Sequence, residues 1–235
     1  MKYPSTELLD DPIISIKIDQ PPVPPLSAWD HQERAWAKMD ESFIHKHKKA
    51  GIVVVPTGGG KTWLASHWLL EKHIAKGGRL LWLTHRTSLL RQAFKTFKEN
   101  AFLAHPLEKL NLIRISSGEA KWSQVRDQDH IVFSTIQSAT SPGSYSFVIQ
   151  MLDDSPKGLF VVVDEAHHAS ARSYLNLIRD LQITRAPLPG AKLLGLTATP
   201  LRMNEEDQKL LWDVFDHNLI YQIRMAELIE KNILS

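Results

Sequence analysis

The sequence contains no cysteine, which excludes a disulfide scaffold and thiolate-ligated zinc and is compatible with a reducing interior. It also lacks a charge excess: 28 basic residues face 26 acidic ones, a formal net charge of +2, so any nucleic-acid surface must be a local patch. No apolar run reaches the length of a membrane span. The opening "MKYPSTELLDDP" has neither the basic region nor the apolar stretch of a signal peptide. No membrane partner is implied, and the cytoplasm is the expected compartment. No internal repeat of fixed period is visible. What is present is a 43% hydrophobic composition over 235 residues, enough to pack one large or two small domains.

Proline punctuates the start. Four prolines between Pro21 and Pro25 favour an extended conformation without a core, so residues 1–25 read as an arm and the folded unit as residues 26–235. Beyond the arm, short apolar runs alternate with amphipathic stretches. The runs "GIVVVP", "RLLWLTH", "NLIRIS", "HIVFST", "GLFVVVDE" and "KLLGLTAT" are six strand candidates. Between them, Ala65, Trp68 and Leu69, and later Tyr174, Ile178 and Leu181, recur at helical spacing. Strands alternating with helices predict an α/β fold with a mostly parallel sheet, and strands this apolar predict helices on both faces.

Such sheets bind ligands beyond the carboxyl ends of their strands, and the residues there are unusual. "PTGGGKT" (Pro56, Thr57, Gly58, Gly59, Gly60, Lys61, Thr62) follows a buried run and opens a helix, the setting in which backbone N–H groups and a helix N-terminus cradle phosphate. Lys61 would reach the terminal phosphates and the Thr62 hydroxyl would ligate magnesium. Val55 stands where the strict phosphate-loop pattern has its first glycine. "VVVDEAHH" ends another buried run in two carboxylates, Asp164 and Glu165. Capping of a following helix accounts for one acidic residue better than for two. A magnesium ion between Thr62 and Asp164 would make the pair tolerable, leaving Glu165 to act as base toward a water attacking the γ-phosphate. At other strand ends, Thr84, His85, Arg86 and Thr135 offer hydroxyls and a guanidinium to a sugar-phosphate backbone, with a solvated surface charge as the alternative for Arg86. Ser117 and Gly118 are either a further backbone contact or a plain turn.

Taken together, these blocks resemble the first RecA-like domain of superfamily 2 helicases and translocases of the DEAH-containing kind. The likeness runs from about Leu26 to the end, with "LTHRTSLLRQ", "STIQS" and "LTATP" in family order. It is nearest the branch of restriction-type motors and DNA repair helicases. The resemblance implies a RecA-like P-loop fold, ATP and Mg2+ as cofactors, and a nucleic-acid partner, with DNA favoured over RNA. It assigns Gln32 in "AWDHQERAW" to adenine, and His167, Thr197 and Thr199 to a relay coupling the nucleotide site to the "TAT" segment. Trp29 stands where smaller or other aromatic residues are usual in the family. Zinc at His167 and His168 is disfavoured for want of further ligands. Family members complete their ATPase site with arginines from a second RecA-like domain, which the sequence has no length left to encode. About 35 residues after Pro200 suffice for two helices and a connecting strand. The sequence therefore implies half of an ATP-driven motor, the alternative being a non-catalytic nucleotide- or nucleic-acid-binding module; intact Lys61, Asp164 and Glu165 favour the motor.

Overall fold

A computed structural model describes residues 11–18, 27–155, 157–168, 175–178, 191–198 and 205–234. Its centre is an eight-stranded sheet, in which β1 (Ile13–Lys17), β2 (Ala50–Val54), β3 (Arg79–Thr84), β4 (Lys109–Ile115), β5 (Ile131–Thr135), β6 (Leu159–Asp164), β7 (Lys192–Thr197) and β8 (Leu219–Gln222) lie in the order β1-β4-β5-β3-β6-β7-β2-β8. Every neighbouring pair is parallel except β1 with β4.

All six strands expected from the sequence form. Side chains alternate between two cores, one on each face, as the period of two demands. Val53, Leu80, Trp82, Phe160 and Val162 enter one core with Leu64, Trp68 and Phe97; Ile52, Val54, Leu81, Val161 and Val163 enter the other with Val148, Met151 and Phe215. The first core is roofed by helices α1 (Asp30–Met39), α2 (Lys61–Lys72) and α3 (Thr87–Glu99). The second is covered by α5 (Tyr145–Asp153) and α6 (Glu205–Val214); α4 (Ile136–Ala139) is a single turn after β5, and α7 (Met225–Glu230) follows β8. Ala65, Trp68, Leu69 and Ile178 are buried as their spacing predicts, while Tyr174 and Leu181 lie outside the described residues.

One strand differs from the sequence expectation. Residues 13–17, read as part of an arm, are instead an edge strand that pairs with β4 over five registers from Ile13↔Ile113 to Lys17↔Lys109. Ile14 and Ile16 pack against the core while Ser15 and Lys17 face outward, and an edge lysine discourages pairing with another chain. The prolines at 21–25 lie outside the described residues. At the opposite edge β8 joins β2, and with α6 and α7 it makes up the two helices and strand expected after Pro200. Among the described residues no helix is long and apolar enough to cross a membrane.

Candidate nucleotide and nucleic-acid site

The order β6-β7-β2 determines what meets at the site. Val54 is in register with Thr197, and Asp164 with Leu196, so the phosphate-loop strand, the "LTAT" strand and the acidic strand end at nearly one level. The Val55 N–H donates to the Thr197 carbonyl at 3.0 Å and fixes the start of the loop to β7. Asp164 shares its parity with Val162 and Phe160 and so faces the α2 side of the sheet.

The loop itself needs its glycines. Gly58 and Gly60 have φ of 85° and 78°, in the left-handed region. A Cβ on Gly60 would stand 2.8 Å from Gln32 Nε2. Gly60 is the N-cap of α2, so the free N–H groups of the helix's first turn open onto the loop. Lys61 follows, its ammonium nearly buried and 3.8 Å from Glu165 Oε1. That is long for an ion pair and leaves the ammonium donors capacity for an anion.

Asp164 is buried, and burial first, with the neighbouring Glu165 charge second, pushes its carboxyl up to about 6 against the pull of Lys61. The Trp82 indole N–H comes near enough to favour the charged form but not in hydrogen-bonding geometry. An under-compensated buried carboxylate with a second beside it suits a bound cation, and the hard oxygens of Asp164 and Thr62 suit magnesium in particular. No cluster of three or more His, Asp or Glu able to hold a metal occurs among the described residues, so magnesium would rely on phosphate and water for its other ligands. Glu165 has φ of 55°, an unfavourable backbone state for a residue with a side chain, and its N–H donates to Asp164 Oδ1 at 3.1 Å. The strain swings the carboxylate out of the strand direction, toward Lys61 on one side and His167 on the other.

His167 joins the acidic strand end to β7: its Nδ1 lies 3.2 Å from Thr197 Oγ1 and 3.4 Å from Glu165 Oε2. Two of the three relay residues therefore meet as the resemblance implies; Thr199 lies outside the described residues.

Gln32, in the first turn of α1, accepts the Trp29 N–H at 2.9 Å through Oε1 and turns Nε2 toward Gly60. A carbonyl oxygen has a second lone pair, so Gln32 can still both donate and accept. With Ser27, Trp29, Gly60 and Trp63 it lines an open cleft of about 230 Å³. His31 is buried beneath, its Nε2–H donating to the Gly59 carbonyl at 3.0 Å. Sequence reasoning passed over Trp63 and His31 and treated Trp29 as a departure. Aromatic residues immediately flanking both the glutamine and "GKT" were the available signal.

The four residues expected to contact nucleic acid are not equivalent. Thr84 is fully buried and its hydroxyl sits 3.5 Å from the Arg86 N–H; Thr135 is nearly buried and accepts the Ser138 N–H at 3.3 Å as the N-cap of α4. Both hydroxyls face the N–H groups of the turns that follow, and of the two only Thr135 also borders a groove. Arg86 is exposed at the N-terminus of α3. His85 and Thr135 border a groove of about 890 Å³ whose wall includes Ser117, Gly118, Ser138 and Ser141. Its Glu119 is raised by burial, but hydrogen bonds from Ser116, Arg114 and Arg91 outweigh this and hold it below the usual carboxylate range, paired with Arg114 at 2.9 Å and Arg91 at 3.0 Å. The groove thus presents hydroxyls and backbone with its acidic residue already neutralised.

The sequence family described as the res subunit of type III restriction enzymes matches residues 26–202. The chain belongs to that family. Its match spans the phosphate loop, the acidic strand end and "LTAT" alike. Among similar proteins, a Dicer-like protein 2-1 from Aspergillus niger is 30% identical over 71% of this chain and 12% of its own length. A 51.5 kDa protein of a Lactococcus phage is 26% identical over 69% of this chain and 27% of its own. The chain therefore spans a minor part of these relatives. In fold it is similar to the type ISP restriction-modification enzyme LlaGI, solved with a DNA substrate mimic (TM-score 0.58, 15% identity, 88% of this chain and 21% of that one). It is also similar to the Hef helicase domain of Pyrococcus furiosus (TM-score 0.57, 22% identity, 81% of this chain and 37% of that one). The res-family domain is RecA-like, with the mostly parallel sheet and two helical layers expected from the sequence.

Proposed function

We propose that this chain is the ATP-binding and ATP-hydrolysing domain of a nucleic-acid motor, and that its track is DNA. The observation that carries the reading is the approach of Lys61, at the mouth of the glycine loop, to within 3.8 Å of Glu165 across the end of β7. A cation able to hold a terminal phosphate and a carboxylate able to take a proton thus stand side by side at the mouth of the loop.

In this reading, adenine lies in the Trp29–Trp63 cleft with Gln32 on its edge, and the N–H groups from Gly58 to Thr62 receive the β- and γ-phosphates. Thr62 and Asp164 would hold Mg2+, which supplies charge neutralisation between the phosphates. Glu165 orients a water in line with the γ-phosphate and accepts its proton at a carboxylate oxygen. His167 shares Nδ1 between Glu165 and Thr197, so a proton gained or lost at Glu165 changes which of the two the imidazole serves. Movement of β7's end is thereby tied to the state of the phosphate. Arg86 and the serine-lined groove take the DNA backbone without reading bases. The restriction-enzyme family and the DNA-bound fold relative support DNA as the track. A second RecA-like domain contributes the missing positive charge on the far side of the γ-phosphate, an effect worth on the order of 10³–10⁵ in rate. The chain alone accordingly turns over slowly.

The test is turnover and binding together. Glu165→Gln keeps Mg–ATP affinity within about threefold while hydrolysis falls by about 10² or more, the usual contribution of a positioned base. Undiminished hydrolysis in Glu165→Gln removes the base assignment.

A further inference from the structure

The segment after β8 touches the glycine loop at two successive glycines. A Cβ on Gly59 would stand 3.0 Å from Leu228 Cδ1, and one on Gly58 would stand 2.7 Å from Leu234 Cδ2. Leu228 is fully buried; Leu234 is partly so. Both leucines are held in place by their own backbone: the N–H groups of Ile233 and Leu234 donate to the Leu228 carbonyl at 2.9 and 3.2 Å, folding the chain after α7 back over the helix end. The same segment is tied to the two elements that flank the loop. The Ile223 N–H donates to the Val54 carbonyl at 3.1 Å, at the last residue of β2. Glu227 pairs with Arg34, and Lys231 with Asp30, on α1, the helix that carries Gln32. These pairs are exposed and set alignment more than they supply energy.

Resting on the nucleotide reading above, we propose that Leu228 and Leu234 are positioning residues that hold the phosphate loop open for a triphosphate. Glycine loops have no side chains with which to resist collapse, and their left-handed residues gain nothing from local propensity. Here Gly59 is restrained at two points: the His31 ring on its carbonyl, and Val55 and Leu228 together where a Cβ would stand. Leu234 does the same for Gly58. Removing either leucine leaves a loop free to sink into the vacated space, and a shift of about 1 Å in phosphate donors costs on the order of tenfold or more in productive binding.

Leu234→Ala, Leu234→Met, Leu228→Ala and Lys61→Ala in the 235-residue chain are compared with the unaltered chain by calorimetric titration with Mg–ATP, well below each melting temperature. The expected result is an affinity about tenfold weaker for Leu234→Ala with a melting temperature close to that of the parent, and recovery in Leu234→Met, whose side chain refills the space. Leu228→Ala weakens binding as well and also lowers the melting temperature, because it opens a cavity. Unchanged affinity in Leu234→Ala, while Lys61→Ala loses binding, overturns the positioning role and leaves the nucleotide reading standing. An unaltered chain that binds no ATP removes the nucleotide reading and the positioning role together.

Discussion

The His167 ring and the Thr197 hydroxyl meet at 3.2 Å, joining the acidic end of β6 to the end of β7. The same nitrogen is 3.4 Å from Glu165, so one imidazole bridges Glu165 and β7, the strand whose Thr197 carbonyl accepts the Val55 N–H. A change at Glu165 has a direct physical route into the sheet.

Asp164 is destabilising in the absence of ligand. Its carboxyl is raised to about 6, so holding it charged at pH 7 costs about 3 kcal/mol relative to an ordinary aspartate. Asp164→Asn removes that charge while keeping the oxygen that accepts the Glu165 N–H. The ligand-free variant melts higher, by about 2–4 °C for each kcal/mol relieved, and loses magnesium-dependent nucleotide affinity. Scanning calorimetry with and without Mg–ATP measures both; a lower melting temperature for ligand-free Asp164→Asn contradicts this account.

His73 makes stability depend on pH. Burial, opposed by its hydrogen bond to the Arg79 carbonyl, lowers the imidazole to about 4. The unfolded chain, with its histidine near 6.5, binds more protons between these values, so the contribution is full above pH 6.5 and is lost as pH falls to 4. The span corresponds to about 3 kcal/mol. In His73→Gln, whose amide can still donate to Arg79, unfolding free energy changes less over that window than in the parent. Parallel profiles from urea titrations at each pH exclude His73 as the source.

Arg86 is the expected phosphate contact because it alone of the four candidates is exposed. Arg86→Ala weakens single-stranded DNA binding to a similar degree on unrelated sequences and lowers the slope of log affinity against log salt by about one. Thr84→Val leaves that slope unchanged, since the hydroxyl is buried. Fluorescence anisotropy at several salt concentrations separates the two; sequence-dependent loss in Arg86→Ala would show that the residue reads bases.

Much of the fold was legible because the six inner strands are largely buried on both faces and therefore mostly apolar, with Arg79, Lys109, Asn111 and Arg114 among the exceptions. The phosphate loop and "DE" pair were legible because backbone chemistry demands those residue types there. The edge strand β1 was not. Ile13–Lys17 has only five residues, alternates by half, and is set among prolines, so its pairing with β4 depends on contacts distant in sequence. Thr84 and Thr135 show a different limit: a strand end predicts where a residue sits, but whether its hydroxyl faces solvent or caps the next turn is decided by packing. The approach of Leu228 and Leu234 to Gly58 and Gly59 joins segments about 170 residues apart, and no local pattern could announce it.

Equilibrium titration of the 235-residue chain with Mg–ATP tests most directly whether Lys61 and the glycine loop hold a nucleotide. Saturable binding in the unaltered chain, weakened at least tenfold in Lys61→Ala with folding intact by circular dichroism, is the predicted result, a loss of about 1.4 kcal/mol or more. No saturable binding in the unaltered chain, or equal affinity in Lys61→Ala, contradicts it.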